Sequence, residues 1–147
     1  MTNELSSTNI IQNSWKSMYD LLNDNLTDPA SRTDTRWIFP EHPARKTFPG
    51  YPIVTFMVDT DTTQFEFKDG RAITISYMFT VFADKSEYAD SVADDIISTI
   101  NANQSTLEGK NLYLPRVTST ASTTEYRPND KRVHMKVIYI DFQVRGL

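Results

Sequence analysis

The sequence predicts an α+β fold, in which a mostly antiparallel sheet carries an N-terminal helix and a second helix on one face. Two segments show the 3.6-residue hydrophobic period of amphipathic helices. Several others alternate polar and apolar residues as half-buried strands do, and turn signals separate them. The length of 147 residues fits one domain spanning 1–147.

The first helix is predicted over residues 8–26. Its apolar residues follow a 4-3-4-4 spacing that places them on one stripe: Ile11, Trp15, Met18, Leu22 and Leu26. Ser6, Ser7 or Thr8 can cap its start. Asp28 precedes Pro29 and is therefore disfavoured in helical geometry, so the helix should end there.

Residues 27–52, here called the arm, contain five of the seven prolines together with aromatic and basic residues. A short strand is expected at 36–39. Long irregular segments in compact domains are often functional. Two interpretations stay open: a loop that packs its own aromatics on the core, or a contact arm for a partner, since aromatics and arginine are enriched at interfaces. The candidate contacts are Arg36, Trp37, Phe39, Arg45, Lys46, Phe48 and Tyr51.

The middle of the chain predicts three strands, the last two joined in a hairpin, and then the second helix. Strands are expected at 53–59, 64–68 and 71–83, with a turn at Asp69-Gly70. The strand at 71–83 should bury Ile73, Ile75, Tyr77, Phe79, Val81 and Ala83. Apolar residues four apart predict the helix at 86–103: Tyr88, Val92, Ile96 and Ile100. Asp84 and Glu87 are spaced as a capping box, with Ser86 as the alternative cap.

Two strands are predicted to complete the chain. Residues 112–126 include the hydroxyl-rich run 118–124, which favours an edge strand, a surface-facing strand, or one paired with a neighbouring subunit. After a turn at 127–130, residues 132–145 are apolar on both faces. A strand of that kind should be central or buried on both sides.

Reactive side chains are scarce. The chain has no cysteine, two histidines and four glycines, and it lacks nucleotide-binding and nucleophile-elbow motifs. His42 is interpreted as a surface-loop residue and His134 as a partly buried or interface residue. Asp59, Asp61 and Asp69 lack the glycine and terminal glutamate of a calcium loop. We therefore expect no catalytic residue, cofactor or metal, and an enzyme that relies on carboxylates alone is the weaker alternative.

Charge is unevenly distributed along the chain. The net charge is −4, yet residues 109–147 hold seven basic and three acidic residues. Opposite patches of this kind suit head-to-tail self-association, although plain surface scatter is an equal interpretation. The N-terminus lacks the features of a signal peptide and no apolar run is long enough to span a membrane, so synthesis in the cytoplasm is expected.

The order of these elements resembles the tail terminator, or tail completion, proteins of long-tailed bacteriophages and archaeal tailed viruses. The resemblance is one of topology and covers most of the chain. The matching pieces are Thr8–Leu26, Thr27–Pro52, Ile53–Asp59, Arg71–Ala83, Ser86–Asn103, Leu112–Tyr126 and Arg132–Arg145.

The resemblance implies a homo-hexameric ring in the virion tail or neck, assembled in the host cytoplasm. Such a ring caps the tail tube, meets the tube protein and the head-completion or connector protein, and lets double-stranded DNA pass without a membrane partner. The basic candidates for subunit contacts are Arg127, Lys131 and Arg132. The candidate lumen charges are Asp59, Asp61, Asp69, Asp90, Asp94 and Asp95.

Three other roles remain open from the residues. A head-closure or tail-tube protein is the first, because the arm at 27–52 would serve a tube subunit as a stacking loop. A cytoplasmic α+β binding domain that dimerises through its sheet is the second, and the carboxylate enzyme is the third.

Overall fold

The computed structural model describes residues 10–33, 35–61, 66–67, 70–71, 73–127 and 131–144. Three helices are present among them: α1 (Ile10–Asn25), α2 (Ser86–Ala102) and the short α3 (Gln104–Glu108). The strands are β1 (Ile38–Phe39), β2 (Ile53–Asp61), β3 (Glu66–Phe67), β4 (Gly70–Arg71), β5 (Ile73–Ala83), β6 (Leu112–Arg127) and β7 (Lys131–Val144).

The main sheet has five strands in the order β1-β2-β5-β7-β6. Among the described strands of this sheet, the two-residue β1 runs parallel to its neighbour and the other pairs are antiparallel. Strands β3 and β4 form a separate two-stranded pair. Both α1 and α2 pack on one face of the main sheet, where their buried residues meet those of β2, β5 and β7. The predicted α+β fold is confirmed.

The hydrophobic core lies between the helices and that face. The predicted inward residues of β5 from Ile75 to Ala83 are fully buried, as are Met18 and Leu22 of α1. Trp15 stacks on Phe56, with ring centroids 4.7 Å apart, and its indole N–H donates to the Phe56 carbonyl at 2.8 Å. Buried Tyr77 donates from its hydroxyl to the Ser14 carbonyl at 2.9 Å. These contacts fix α1 on the sheet.

The last two strands take the places in the sheet that their residue patterns predict. β7 lies between β5 and β6, and β6 is the edge strand. The predicted central place of β7 is therefore confirmed, but its two faces differ. Ile138, Ile140 and Phe142 are buried beneath the helices, whereas Tyr139 on the opposite face is 37 % exposed.

Several local predictions need correction. No Asp84–Glu87 capping box forms, because α2 starts at Ser86 and places Lys85 at the N-cap, without a side-chain cap. Gly70 lies in β4 opposite Phe67 rather than in the turn, and the connecting residues 68–69 fall outside the described residues. The proposed α1 caps at 6–8 also lie outside them. The helix α3 was not predicted, since Asn103 interrupts the helical pattern.

Candidate interaction surface

The β6–β7 hairpin carries a row of polar cross-strand pairs on the side of the sheet that faces α2. Lys136 donates to the Ser122 hydroxyl at 2.9 Å, and a ring nitrogen of His134 lies 3.1 Å from the Thr124 hydroxyl. At the next pair, the Arg132 guanidinium lies 5.8 Å from the ring centre of Tyr126. We call Arg132, His134 and Lys136 the hairpin ladder. The hydroxyl run of β6 therefore supplies partners for basic and imidazole side chains on β7.

Helix α2 presents carboxylates beside this ladder. Asp90 and Asp94 are one turn apart, so their side chains share one side of the helix, and Asp95 points about 100° away. All three are exposed. The Asp90 carboxylate lies 3.6 Å from the Lys136 ammonium, which is the contact that joins α2 to the ladder. Asp94 makes no ion pair with any residue that the structure describes.

A groove separates α2 from the hairpin. Its volume is about 310 Å³. Two buried apolar residues lie at its base and Ile97 is partly exposed, while carboxylates and one lysine stand at its rim. The lining residues of this α2 groove are Asp90, Ala93, Asp94, Ile97, Thr120, Lys136 and Ile138. Ile97 also lines a smaller neighbouring cavity, of about 60 Å³, with Pro115, Arg116 and Val117.

Strand β6 is an exposed edge with an irregular start. The register with β7 shifts between Tyr113 and Arg116 and again between Val117 and Ser119. Leu114 has φ 54°, and its side chain is 57 % exposed. Bulges and prolines at an edge discourage uncontrolled pairing with other strands. Residues 119–126 form a regular ladder with β7 and are exposed, so this part of the edge is open to a partner.

The arm is held against the rest of the molecule by Arg32. Its guanidinium donates to the Asp28 carboxylate at 2.7 and 3.0 Å, to the Gly50 carbonyl at 2.8 Å, and to the Pro52 carbonyl. Gly50 has φ +94°, a conformation that glycine adopts without strain. Arg32 thereby joins the two ends of the arm.

The arm's aromatic residues mostly pack on the protein itself. Trp37 is 7 % exposed and belongs to the core. The Phe48 ring lies 4.8 Å from that of Tyr51 and 5.5 Å from the His42 imidazole, which in turn lies 5.2 Å from Phe82. The arm therefore covers part of the sheet face opposite the helices, because Phe82 points away from its buried neighbours Val81 and Ala83.

The arm's basic residues remain accessible. Arg36 is exposed and lies over the rings of Tyr19, at 5.1 Å, and Phe39, at 5.3 Å. Arg45 and Lys46 are exposed in the following turn. Of the two interpretations of the arm, packing on the core holds for Trp37. The exposed Arg36, Arg45 and Lys46 instead leave a basic surface on which a partner can bind.

The Asp28–Arg32 contact predicts a pH dependence of stability. Burial alone raises the pKa of Asp28, but hydrogen bonds from Arg32 and the Ala30 N–H, with the guanidinium charge, hold that pKa below its ordinary value. A lowered folded-state pKa stabilises the protein above the unfolded pKa of about 3.9, and that contribution disappears as the pH falls through the folded value. We expect Asp28→Asn to lower the melting temperature at pH 7 and to converge with wild type in acid.

The exposed Asp24, one turn earlier, provides the control: Asp24→Asn should leave the difference between neutral and acid melting temperatures almost unchanged. If the melting temperatures of Asp28→Asn and wild type differed by the same amount at every pH, the role given to Arg32 would be contradicted.

The two sets of candidate lumen charges lie apart. Asp90 adjoins Lys136, which pairs with Val81, whereas Asp61 pairs with Thr74 near the other end of β5. This separation is roughly 23 Å along the strand, at about 3.3 Å per residue. The side chains of Asp59 and Asp61, and all of Asp69, fall outside the described residues, as do those of Arg127 and Lys131.

Within the described part of the chain, no three His, Cys, Asp or Glu side chains cluster as metal ligands do. Among the same residues, no helix is both long and apolar enough to cross a membrane.

No protein-family model and no curated protein matches the chain. Among solved structures, it is similar to a chain described as "Virion of native gene transfer agent (GTA) particle". The identity is 11 %, the match covers 88 % of this chain and 92 % of that chain, and the TM-score is 0.42.

Proposed function

We propose that this chain is a structural subunit of a tailed virus particle, a tail terminator that forms a hexameric ring. The ring caps the tail tube, binds the tube protein on one side and a head-completion or connector protein on the other, and lets DNA pass through its centre. It acts in the tail or neck of the virion and performs no catalysis.

One observation carries the proposal: the chain presents two unlike surfaces beside each other, an open edge hairpin with basic side chains and a groove with carboxylates at its rim. A closed ring needs a heterologous interface, in which one patch of each subunit meets a different patch of the next. A two-fold dimer instead needs one self-complementary patch. The uneven charge therefore favours a ring.

The element order adds support. A first helix, an arm, antiparallel strands, a second helix on the same face and a closing hairpin follow each other as they do in the terminator proteins that the sequence resembles. The arm's ends are joined through Arg32, which suits a compact cap better than the extended stacking loop of a tube subunit.

Particular surfaces take particular roles in this proposal. Arg36, Phe39, Arg45, Lys46, Phe48 and Tyr51 would form the contact with the tube or the connector, with Trp37 as their buried support. Asp59 and Asp61 pair with Ser76 and Thr74, toward the sheet end remote from the α2 groove. With Asp69 they would line the channel. Carboxylates there would repel DNA phosphates and prevent adhesion during passage.

Native mass spectrometry with negative-stain electron microscopy tests the ring. The expected species is a closed hexamer, or a monomer that becomes a hexamer when isolated tail tubes are added. Open-ended tubes would assign the chain to the tube proteins instead. A stable dimer without rings, with or without tail tubes, would refute the terminator and favour a dimeric binding domain.

A further inference from the structure

We propose that the hairpin tip of one copy docks into the α2 groove of the next copy, with the Tyr126 ring against Ile97 and Arg132 beside Asp94. The inference rests on the proposed ring and names the surfaces that meet in it. It assigns Asp90 and Asp94 to a contact between subunits rather than to the channel.

The tip extends beyond the strand that supports it. β5 ends at Ala83, which pairs with His134, whereas β6 and β7 continue to pair up to Arg127 and Lys131. Three further residue pairs therefore have no β5 partner, an overhang of roughly 10 Å at about 3.3 Å per residue. Near its end stands Tyr126, which is 73 % exposed.

A tyrosine at such a position is well placed to contact a partner. Exposed aromatics are typical anchors of interfaces, where they fill pockets and bring little side-chain entropy. Arg132 lies over the Tyr126 ring and presents a guanidinium at the same point. The tip thus offers one apolar ring with positive charge at its side.

The α2 groove has the complementary chemistry. Ile97 is partly exposed in the groove, whereas Ala93 and Ile138 are buried at its base. Asp94 at its rim has no ion pair among the described residues. Within one copy, the hairpin ladder already pairs with α2, since the Lys136 ammonium lies 3.6 Å from the Asp90 carboxylate. Arg132 stands roughly 13 Å farther along the ladder, at about 3.3 Å per residue, where its exposed side chain is accessible to a carboxylate of another copy.

A copy cannot place its own tip in its own groove. Lys136 lines the groove, whereas Arg132 stands four residues away on the same strand, roughly 13 Å at about 3.3 Å per residue. Folding the tip back would break the β6–β7 hydrogen bonds between these positions. A second copy is therefore the occupant that fits without distortion.

A charge-swap cycle tests the contact. Arg132→Glu alone and Asp94→Arg alone should each raise the concentration for half-maximal ring assembly by about tenfold, since charges that couple across a contact lose their partner. The double variant should return to within about threefold of wild type. Asp95→Arg is the matched control, because it adds the same charge one residue along α2, away from the groove, and should not rescue Arg132→Glu.

A second measurement does not depend on charge. Tyr126 is replaced by the photoreactive p-benzoylphenylalanine, which keeps an aromatic ring at the tip, and assembled protein is irradiated. Adducts between subunits should map to the α2 groove, at 93–97, 120 or 138.

The outcomes separate the two proposals. If wild-type rings form but all the charge variants assemble equally, or the adducts map elsewhere, the docking proposal is wrong and the terminator stands. If wild-type protein forms no ring even with tail tubes, the terminator itself is wrong. If Arg132→Glu leaves rings intact but abolishes retention of a double-stranded DNA fragment, the tip contacts nucleic acid and the docking proposal is overturned.

Discussion

Phe56→Ala is expected to lower the free energy of unfolding by about 3–5 kcal/mol, the usual loss for a buried aromatic. Phe56 is 1 % exposed and lies between the Trp15 ring and that of Phe79, with centroids 4.7 and 5.3 Å away. Removing its ring leaves a cavity where α1 meets the sheet. Since small domains are stable by only about 5–15 kcal/mol, this loss is a large fraction of the total free energy of unfolding.

Urea denaturation followed by tryptophan fluorescence measures this loss, because Trp15 stacks directly on the altered side chain. The control is Met57→Ala, at the adjacent residue on the opposite face, which is 52 % exposed. It should change stability by less than about 1 kcal/mol. Equal losses for Met57→Ala and Phe56→Ala would contradict the assignment of the core to the helical face.

The second large effect concerns assembly. Replacing Arg127, Lys131 and Arg132 together by glutamate reverses the charge of the hairpin tip and should abolish ring formation at low salt. In wild type, added salt should weaken assembly, because screening reduces attraction between exposed charges. In the variant, added salt should instead restore part of the assembly, because it screens the repulsion between the new glutamates and the carboxylates of the groove.

Lys16→Glu with Lys110→Glu is the comparison, as it reverses charge on α1 and in the turn before β6, outside the hairpin. That double variant should assemble as wild type does, and circular dichroism should show both variants folded. Normal rings with unchanged salt dependence in the triple variant would refute the electrostatic role of the tip, irrespective of where the tip binds.

The sequence predicted the helices, the main strands and the buried face of β5 because burial imposes a period there. Ile75, Phe79 and Val81 alternate with more polar residues, and the structure buries each of them. The central place of β7 followed from its two apolar faces. The prediction of a capping box was wrong because it depends on the helix start to within one residue. Asp84 is spaced correctly from Glu87, but α2 starts at Ser86, so Lys85 occupies the N-cap.

The candidate surface was only partly visible in the sequence. Lys136 and Tyr126 were missed as interaction residues, although strands ending at 126 and starting at 132 already imply that Tyr126 stands opposite Arg132. Aligning the two strands would have revealed the hairpin ladder. Aligning strands could not have revealed the α2 groove, because the groove depends on the distance between α2 and the β6–β7 hairpin in the folded protein. Trp37 was counted with its exposed neighbours because irregular segments have no period that separates inside from outside.

The interior place of β7 affects how the chain folds during synthesis. β5 receives its second neighbour only when β7 has been made, about 50 residues later. At about 5–20 residues per second, the nascent chain spends roughly 3–10 s with the β5 edge unpaired. A copy released before β7 is complete would expose that edge beside an unfinished core, which is the form most open to capture by chaperones or to aggregation. The supply of competent subunits therefore depends on how many chains complete this strand.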